Sequence, residues 1–203
     1  MSTTPNSPAK SQCSRKWTAS RSSGTRKPGT VRWIVLHDAE AKTAESAARF
    51  FANPAPPPPV GNGPAGSAHL CVDDNVCFRT LDNDAVPWAA TSAFNCNLRG
   101  FHIEQAGFAK WSATAWMLHR DTLRRAAYKT ALHCVVFNLP PVFVLASQLP
   151  NVDGVTTHRE VTMASKRLDP AHASRYTHTD PGPLWPRRWF MARVREYHAE
   201  LLA

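Results

Sequence analysis

The apolar residues of the chain follow a strand-like pattern in four short segments. Residues 31–37 are rich in β-branched and aromatic side chains and have no polar face, which is typical of a central strand. Residues 67–73 and 76–81 flank a short polar turn and predict a β-hairpin. Residues 100–106 predict a further strand. The sequence therefore predicts a sheet that contains at least one fully buried strand.

Three other segments repeat apolar residues at helical spacing. Thr43 is expected to cap the first helix, whose apolar stripe ends at Phe51. Residues 121–137 predict a long amphipathic helix, and a C-terminal helix is expected after Pro186. Residues 53–66, rich in proline and glycine, predict a loop. Strands interleaved with helices predict a single α/β domain, with a central mixed β-sheet flanked by α-helices.

The charge of the chain points to an acidic partner without identifying it. The 203 residues include 24 lysines and arginines against 15 aspartates and glutamates, a net charge of +9. We interpret residues 1–16 as an irregular basic arm and residues 17–203 as the folded domain. Positive charge attracts any polyanion, such as nucleic acid, anionic lipid or an acidic cell-wall polymer. A solvated tail and a solvated helix face explain the charge equally well.

Membrane insertion, secretion by a signal peptide and disulfide bonding are disfavoured. No apolar run is long enough to span a bilayer, and the N-terminal segment lacks the apolar stretch of a signal peptide. The five cysteines are odd in number and form no CxxC pair, which disfavours a disulfide framework and a thiolate zinc site. Cys71, Cys77 and Cys134 are expected to be small buried apolar residues.

Candidate metal ligands stand at the ends of two extended segments. His37 and His158 each close such a segment, where we expect a loop to begin and where α/β sheets place ligands. A catalytic zinc needs three protein ligands and an open position for water, and imidazole is a common donor. Asp180, before a Pro-Gly turn, is a candidate third ligand. Surface histidines and an ordinary turn would explain the same residues. His102 and Glu104 share one strand face, but the PCxxC half of a nucleobase-deaminase signature is absent.

Six short motifs, in this order along the chain, together resemble one family. They are residues 33–38, 67–73, 86–90, 102–107, 154–161 and 178–186. They resemble the type 2 N-acetylmuramoyl-L-alanine amidases, which share a fold with peptidoglycan-recognition proteins, and are most similar to the amidase domains of actinobacteriophage endolysins. The resemblance covers roughly residues 17–200.

The resemblance implies a role for each matching residue. Zinc would be held by His37, His158 and Asp180, with Asp169 as a rival third ligand. Glu104 would activate the metal-bound water and shuttle its proton. His178 stands where the family usually has a lysine, and would stabilise the oxyanion. The candidate substrate-binding residues are His69, Trp88 and His102. For His69 a supporting role behind a ligand, or plain packing, remains open.

The expected function is zinc-dependent hydrolysis of the amide between N-acetylmuramic acid and L-alanine in peptidoglycan. The resemblance implies a monomeric, phage-type endolysin, made in the host cytoplasm without a signal peptide and acting on the bacterial cell wall. A non-catalytic peptidoglycan-binding module on the same fold is one alternative. A basic nucleic-acid-binding protein is a more remote one, because it explains the charge and none of the motifs; we expect no nucleic-acid partner.

Overall fold

The apolar strand β1 (Trp33–Asp38) lies inside the sheet, between β4 (Gly100–Gln105) and β5 (Gly154–Thr157), and is parallel to both. Strand β2 (Leu70–Val72) is parallel to β4, and β3 (Cys77–Arg79) is antiparallel to β2, so the order is β3-β2-β4-β1-β5. All six residues of β1 are buried, as its lack of a polar face predicts. The computed structural model describes residues 12–53 and 66–203 of the chain. These residues form the single α/β domain with a central mixed sheet that the sequence predicts.

Helices cover both faces of this sheet. Within the described residues they are α1 (Ala44–Ala52), α2 (Cys96–Arg99), α3 (Ala113–Leu118), α4 (Arg120–Phe137), α5 (His158–Leu168) and α6 (Arg187–Leu202), with a 3-10 helix at Pro170–Arg175. The predicted cap of α1 is present, because the Thr43 hydroxyl accepts a hydrogen bond from the Ser46 N–H. The stripe of α1 that ends at Phe51 is buried, as its spacing predicts. The helices predicted over residues 121–137 and after Pro186 correspond to α4 and α6.

Alternate residues of β1 point into two different cores. Ile34 and Leu36 belong to the larger core, which packs against α4 and α6. Trp33 and Val35 belong to the smaller core, which also contains Val161 of α5. Because side chains alternate along a strand, His37 continues the row of Trp33 and Val35. It therefore lies on the same side of the sheet as α5.

Two predictions are wrong. No loop follows His158, because α5 begins at this residue and Thr157 caps the helix by accepting a hydrogen bond from the Glu160 N–H. Disulfide bonding, which the odd number of cysteines disfavoured, is present, because Cys77 is buried as expected but forms a disulfide with Cys13. The chain brings them together where the N-terminal segment runs beside β3: the Ser14 N–H donates to the Cys77 carbonyl. The remaining three cysteines are free and buried, as was expected of Cys71 and Cys134.

The described part of the N-terminal segment is irregular, as predicted, and lies against the domain. Ser14 and Thr25 form isolated bridges with Phe78 and Ala85. Trp17 packs on the core that α1 shares with β2 and β3. Residues 1–11, and with them most of the predicted arm, lie outside the described residues, and so does most of the loop predicted at 53–66; the domain boundary at residue 17 stays a prediction. No helix in the described ranges has the length and apolarity needed to cross a bilayer.

Candidate metal centre

Three segments that are distant in sequence meet at one end of the parallel strands. His37 is the penultimate residue of β1, and His158 begins α5 directly after β5, which pairs with β1. Asp180 arrives on a loop that is tied to α5, because the Arg159 N–H donates a hydrogen bond to the Asp180 carbonyl. Gly182 closes the predicted turn with a φ of +90°, a conformation that favours glycine. Strand order and this turn therefore bring the three predicted ligands together.

The ligand atoms of these three residues converge on one point. Nδ1 of His37 lies 3.0 Å from Oδ2 of Asp180, and Nδ1 of His158 lies 3.1 Å from Oδ1 of the same carboxylate. One ligand atom from each residue lies within 4.8 Å of the other two. Both imidazoles are almost fully buried, and only 13% of the Asp180 side chain is exposed. The site thus presents a compact set of two nitrogen donors and one carboxylate.

The charge of Asp180 fits a site for a cation. Burial alone would raise the pKa of this carboxyl, but hydrogen bonds with His158 and His37 hold it well below its usual range. Burial lowers the pKa of His158, so its ring favours the neutral form that binds metals. Two imidazoles and one carboxylate are a donor set that suits a catalytic zinc with an open position. The residues present therefore fit the ion that the sequence motifs imply.

Glu104 lies beside this donor set on the neighbouring strand. It pairs with His37 in the β1–β4 register, on the same side of the sheet, and lines the same groove. Its Oε2 atom is buried and has no hydrogen-bond partner among the described residues. Burial, followed by the negative charges of Asp180 and Asp38, raises the pKa of Glu104 well above its usual range. A carboxylate in these surroundings is disposed to accept a proton, as general-base catalysis requires.

His178 stands at the solvent side of the centre. Its ring stacks on that of His158, with 4.3 Å between the centroids, and its Nδ1 lies 3.7 Å from Oδ1 of Asp180. More than half of the His178 side chain is exposed. Burial of the remainder and the nearby His158 lower the pKa of His178, so this imidazole is a weaker cation than a lysine. It lines the groove and can reach a substrate there.

The groove over the centre has a volume of about 1140 Å³, and one predicted substrate residue lines it. Trp88 forms part of the wall with 40% of its surface exposed, and its indole N–H donates a hydrogen bond to the Ser23 hydroxyl. The other two predicted substrate residues are not at the groove, because neither His69 nor His102 has any exposed surface. Substrate contact by these two histidines is a prediction that the structure contradicts. His102 lies behind His37, and His69 lies behind His102, with Nδ1 of His69 accepting a hydrogen bond from the His102 backbone N–H.

Asp169, the rival third ligand, is not part of the centre. Its carboxylate accepts a hydrogen bond from the Tyr176 hydroxyl and contacts Nδ1 of His172, at 2.7 and 2.9 Å. These contacts lie after the end of α5, where Asp169 is the C-terminal flanking residue. The grouping of His37 and His158 with a carboxylate involves Asp180 instead.

Two further residues of this region were missed by the sequence analysis. Asp38 directly follows His37 and lines the groove, and burial raises its pKa to about 8, with the Asp180 charge adding to the effect. Its position next to the candidate metal ligand His37 is the sequence feature that could have identified it. Arg26 was not singled out among the basic residues of the chain, but it is buried and donates hydrogen bonds to the Gly100 and Leu98 carbonyls. Nothing in the local sequence distinguishes it from the exposed arginines.

Comparison with known proteins identifies the class to which this fold and site belong. The family model described as N-acetylmuramoyl-L-alanine amidase (Amidase_2) matches residues 27–183, most of the chain. The chain belongs to this family, which supports amidase activity on peptidoglycan. None of the curated proteins matches this sequence.

Solved structures show the same fold at low sequence identity. The hydrolase AmiA of Staphylococcus aureus, solved in complex with its ligand, is 17% identical with a TM-score of 0.67, covering 95% of this chain and 85% of AmiA. A PlyL variant described as the E90A mutant is 15% identical with a TM-score of 0.58, covering 91% and 99% of the two chains. A mutant endolysin from Bacillus subtilis is 16% identical with a TM-score of 0.56, covering 90% and 98%. At these identities the likeness concerns the fold.

Proposed function

We propose that this protein is a zinc-dependent N-acetylmuramoyl-L-alanine amidase of the phage endolysin type. Its substrate would be the amide between the lactyl group of N-acetylmuramic acid and L-alanine in peptidoglycan. The observation that carries the proposal is the convergence of His37, His158 and Asp180 beside Glu104, in one groove of a chain from this family. The endolysin described among the structural neighbours supports the proposed type.

The donor set defines what the ion would contribute. Zinc, when bound by His37, His158 and Asp180, supplies a Lewis acid that lowers the pKa of a bound water to about 7 and polarises a carbonyl. The three side chains need little movement to hold it, because their ligand atoms already lie within 4.8 Å of one another. The burial of both imidazoles limits the access of bulk water to their ligand atoms.

Glu104 would carry the proton in the hydrolysis. Attack of water on the amide carbonyl releases one proton, and cleavage of the C–N bond requires one proton on the departing L-alanine nitrogen. Glu104 can do both in turn, accepting the first proton on its carboxylate and giving it to the amine. Its raised pKa favours holding the proton between the two events. The reaction then consumes one water and yields one carboxylic acid and one amine.

His178 and Trp88 would act on the substrate from the groove. His178 faces the centre from the solvent side, where an imidazole N–H can donate a hydrogen bond to an oxyanion. Trp88 is 40% exposed, and the Arg21 guanidinium lies 4.9 Å from its ring centroid, so a sugar ring or a stem peptide would stack on the face opposite Arg21. We propose that the protein works as a monomer at the bacterial cell wall, after synthesis in the host cytoplasm. Its net charge of +9 favours attraction to acidic wall polymers, and no nucleic acid is required.

Digestion of a defined muramyl peptide tests the proposal. The products are separated by mass, and we expect a lactyl carboxylic acid and a peptide with a free L-alanine amine. The reaction should stop on chelation and return when zinc is added. If the protein retains the muramyl peptide but releases no amine at any zinc concentration, a non-catalytic binding module on the same fold replaces the amidase.

A further inference from the structure

His102 lies directly behind the metal ligand His37. Val35 and His102 are paired in the β1–β4 register, two residues before the His37–Glu104 pair, so both histidines are on the same face of the sheet. Nδ1 of His102 lies 2.9 Å from Nε2 of His37, the nitrogen that points away from Asp180. His102 has no exposed surface, so its ring contacts other groups of the protein and not solvent.

The second nitrogen of His102 determines which way the hydrogen bond to His37 runs. Nε2 of His102 lies 3.4 Å from the Cys96 carbonyl oxygen, and a carbonyl can only accept a hydrogen bond. Nε2 of His102 therefore carries a proton and donates it. A neutral imidazole with a proton on one nitrogen accepts on the other, so Nδ1 of His102 accepts from Nε2 of His37. With Nε2 of His37 donating to His102, the proton that Nδ1 of His37 donates to Asp180 is the one that a metal ion would displace, and the freed Nδ1 lone pair then faces the metal position.

We propose that His102 is a positioning residue, which fixes the tautomer and orientation of His37 so that Nδ1 is ready to bind zinc. This inference rests on the proposed zinc site and assigns a role to a residue that contacts neither the metal nor the substrate. A hydrogen-bond acceptor behind a histidine ligand holds the ring and makes it a better donor to the ion. His102 supplies that acceptor through a side chain on the neighbouring strand.

The surroundings of His102 hold it in this role. A Cβ atom on Gly100 would lie 2.5 Å from Nε2 of His102 and 2.7 Å from the Cys96 carbonyl oxygen, so only glycine leaves room for their hydrogen bond. The His102 backbone N–H donates to Nδ1 of His69. Arg26 contacts Nε2 of His69 and donates to the Gly100 carbonyl. His69 and Arg26 thus support the segment that carries His102.

His133 provides a matched control. It is also a buried histidine, with 2% exposure, and its ring stacks on Phe101 at 4.0 Å. It lies on α4, on the opposite side of the sheet from His37, and contacts no metal ligand. Substitution of His133 by leucine therefore removes a buried imidazole of the same kind without changing the contacts of His37.

The test compares zinc affinity, measured by competition with a chelator, in the wild-type protein and in three variants. We expect His102→Leu to bind zinc about 10- to 100-fold more weakly than wild type. His102→Asn should bind more tightly than His102→Leu, because an amide oxygen can accept the hydrogen bond from His37. His133→Leu should bind zinc like the wild type. Thermal unfolding of the metal-free proteins separates loss of structure from loss of affinity.

A nitrogen-15 spectrum of the histidines tests the same inference without substitution. In zinc-loaded wild-type protein we expect His102 to have a proton on Nε2 and none on Nδ1. A proton on Nδ1 of His102, or equal zinc affinity in folded His102→Leu and wild type, would overturn the inference while leaving the zinc site in place. A wild-type protein that binds no zinc would overturn the proposed function and this inference together.

Discussion

His37 and His158 present the same atom to Asp180, at 3.0 and 3.1 Å, but their other ring nitrogens meet different surroundings. Nε2 of His37 lies 2.9 Å from His102. Nε2 of His158 is buried and has no hydrogen-bond partner among the described residues. His158 is held instead by the start of α5 and by stacking against His178. One ligand is oriented by a polar contact, and the other by backbone and ring packing.

The difference follows from the elements that carry the two histidines. A residue on a central strand has a neighbour on the adjoining strand at every position, and here that neighbouring strand supplies His102. A residue at the first position of a helix lies at the edge of the sheet layer, where the helix cap and the next loop set its direction. The two halves of the centre should therefore respond to different substitutions.

The largest effect is expected at Glu104, which takes part neither in the contact that orients His37 nor in the packing that orients His158. Substitution by glutamine keeps the shape of the side chain and removes its ability to accept a proton. We expect Glu104→Gln to reduce the turnover of muramyl peptide by about 10²–10⁴-fold. Zinc affinity should stay close to wild type, because Glu104 is outside the His37, His158 and Asp180 group. A comparable loss of zinc would show that Glu104 is a ligand rather than a base.

The disulfide should affect stability while leaving both halves of the centre intact. Cys13 and Cys77 close a loop with a sequence separation of 64. Cys77 lies on the edge strand β3, and two strands, β2 and β4, separate it from the strand β1 that carries His37. We expect Cys13→Ser to lower the free energy of unfolding by about 2–4 kcal/mol. Chemical denaturation measures this value, and a reductant should destabilise the wild type but not the variant. A large change in zinc affinity would contradict the separation of the two regions.

Substitution of His178 tests the part of the centre around His158, whose ring is positioned by stacking. We expect His178→Ala to slow turnover by about tenfold, less than the loss of a buried oxyanion donor, because this imidazole is more than half exposed. His178→Lys restores the cation that the family usually has there, and should recover or exceed the wild-type rate. Rates on a muramyl peptide under saturating zinc check both. If the alanine variant matches wild type, His178 has no role in the reaction.

The smallest effect is expected from the helix cap that places His158. Thr157→Ala removes the hydroxyl that accepts from the Glu160 N–H, which should cost about 1 kcal/mol of unfolding free energy. Zinc affinity should fall with it, since His158 is the next residue. Thr157→Ser keeps a hydroxyl and serves as the control. An unchanged zinc affinity in the alanine variant would mean that stacking alone positions His158.

Much of the fold and the ligand set could be predicted from local patterns. The apolar run of β1 and the apolar stripe of α1 predict that these side chains are buried, and the structure confirms both predictions. His37, His158 and Asp180 could be selected as candidate ligands because each lies in a motif that resembles the amidase family, the two histidines near the ends of extended segments and Asp180 before a Pro-Gly turn. The structure then brings these three together. The chemical type of each residue and of its neighbours in the sequence was sufficient for these predictions.

The residues that lie behind the candidate ligands could not be predicted in the same way. His102 looked like a groove residue because strand alternation gives a face but not what covers that face. Its burial depends on β1–β4 register and on the missing side chain of Gly100. Likewise, the pairing of Cys13 with Cys77 depends on the N-terminal segment lying beside β3. Both features require contacts between segments more than 60 residues apart, which no local pattern encodes.

Titration of metal-free protein with zinc, followed by the initial rate of amide cleavage in a muramyl peptide, tests the central claim most directly. The account predicts almost no cleavage without metal, a linear rise up to one zinc per chain, and a plateau beyond it. Full activity in the metal-free protein, or no cleavage with zinc bound at one equivalent, would contradict it.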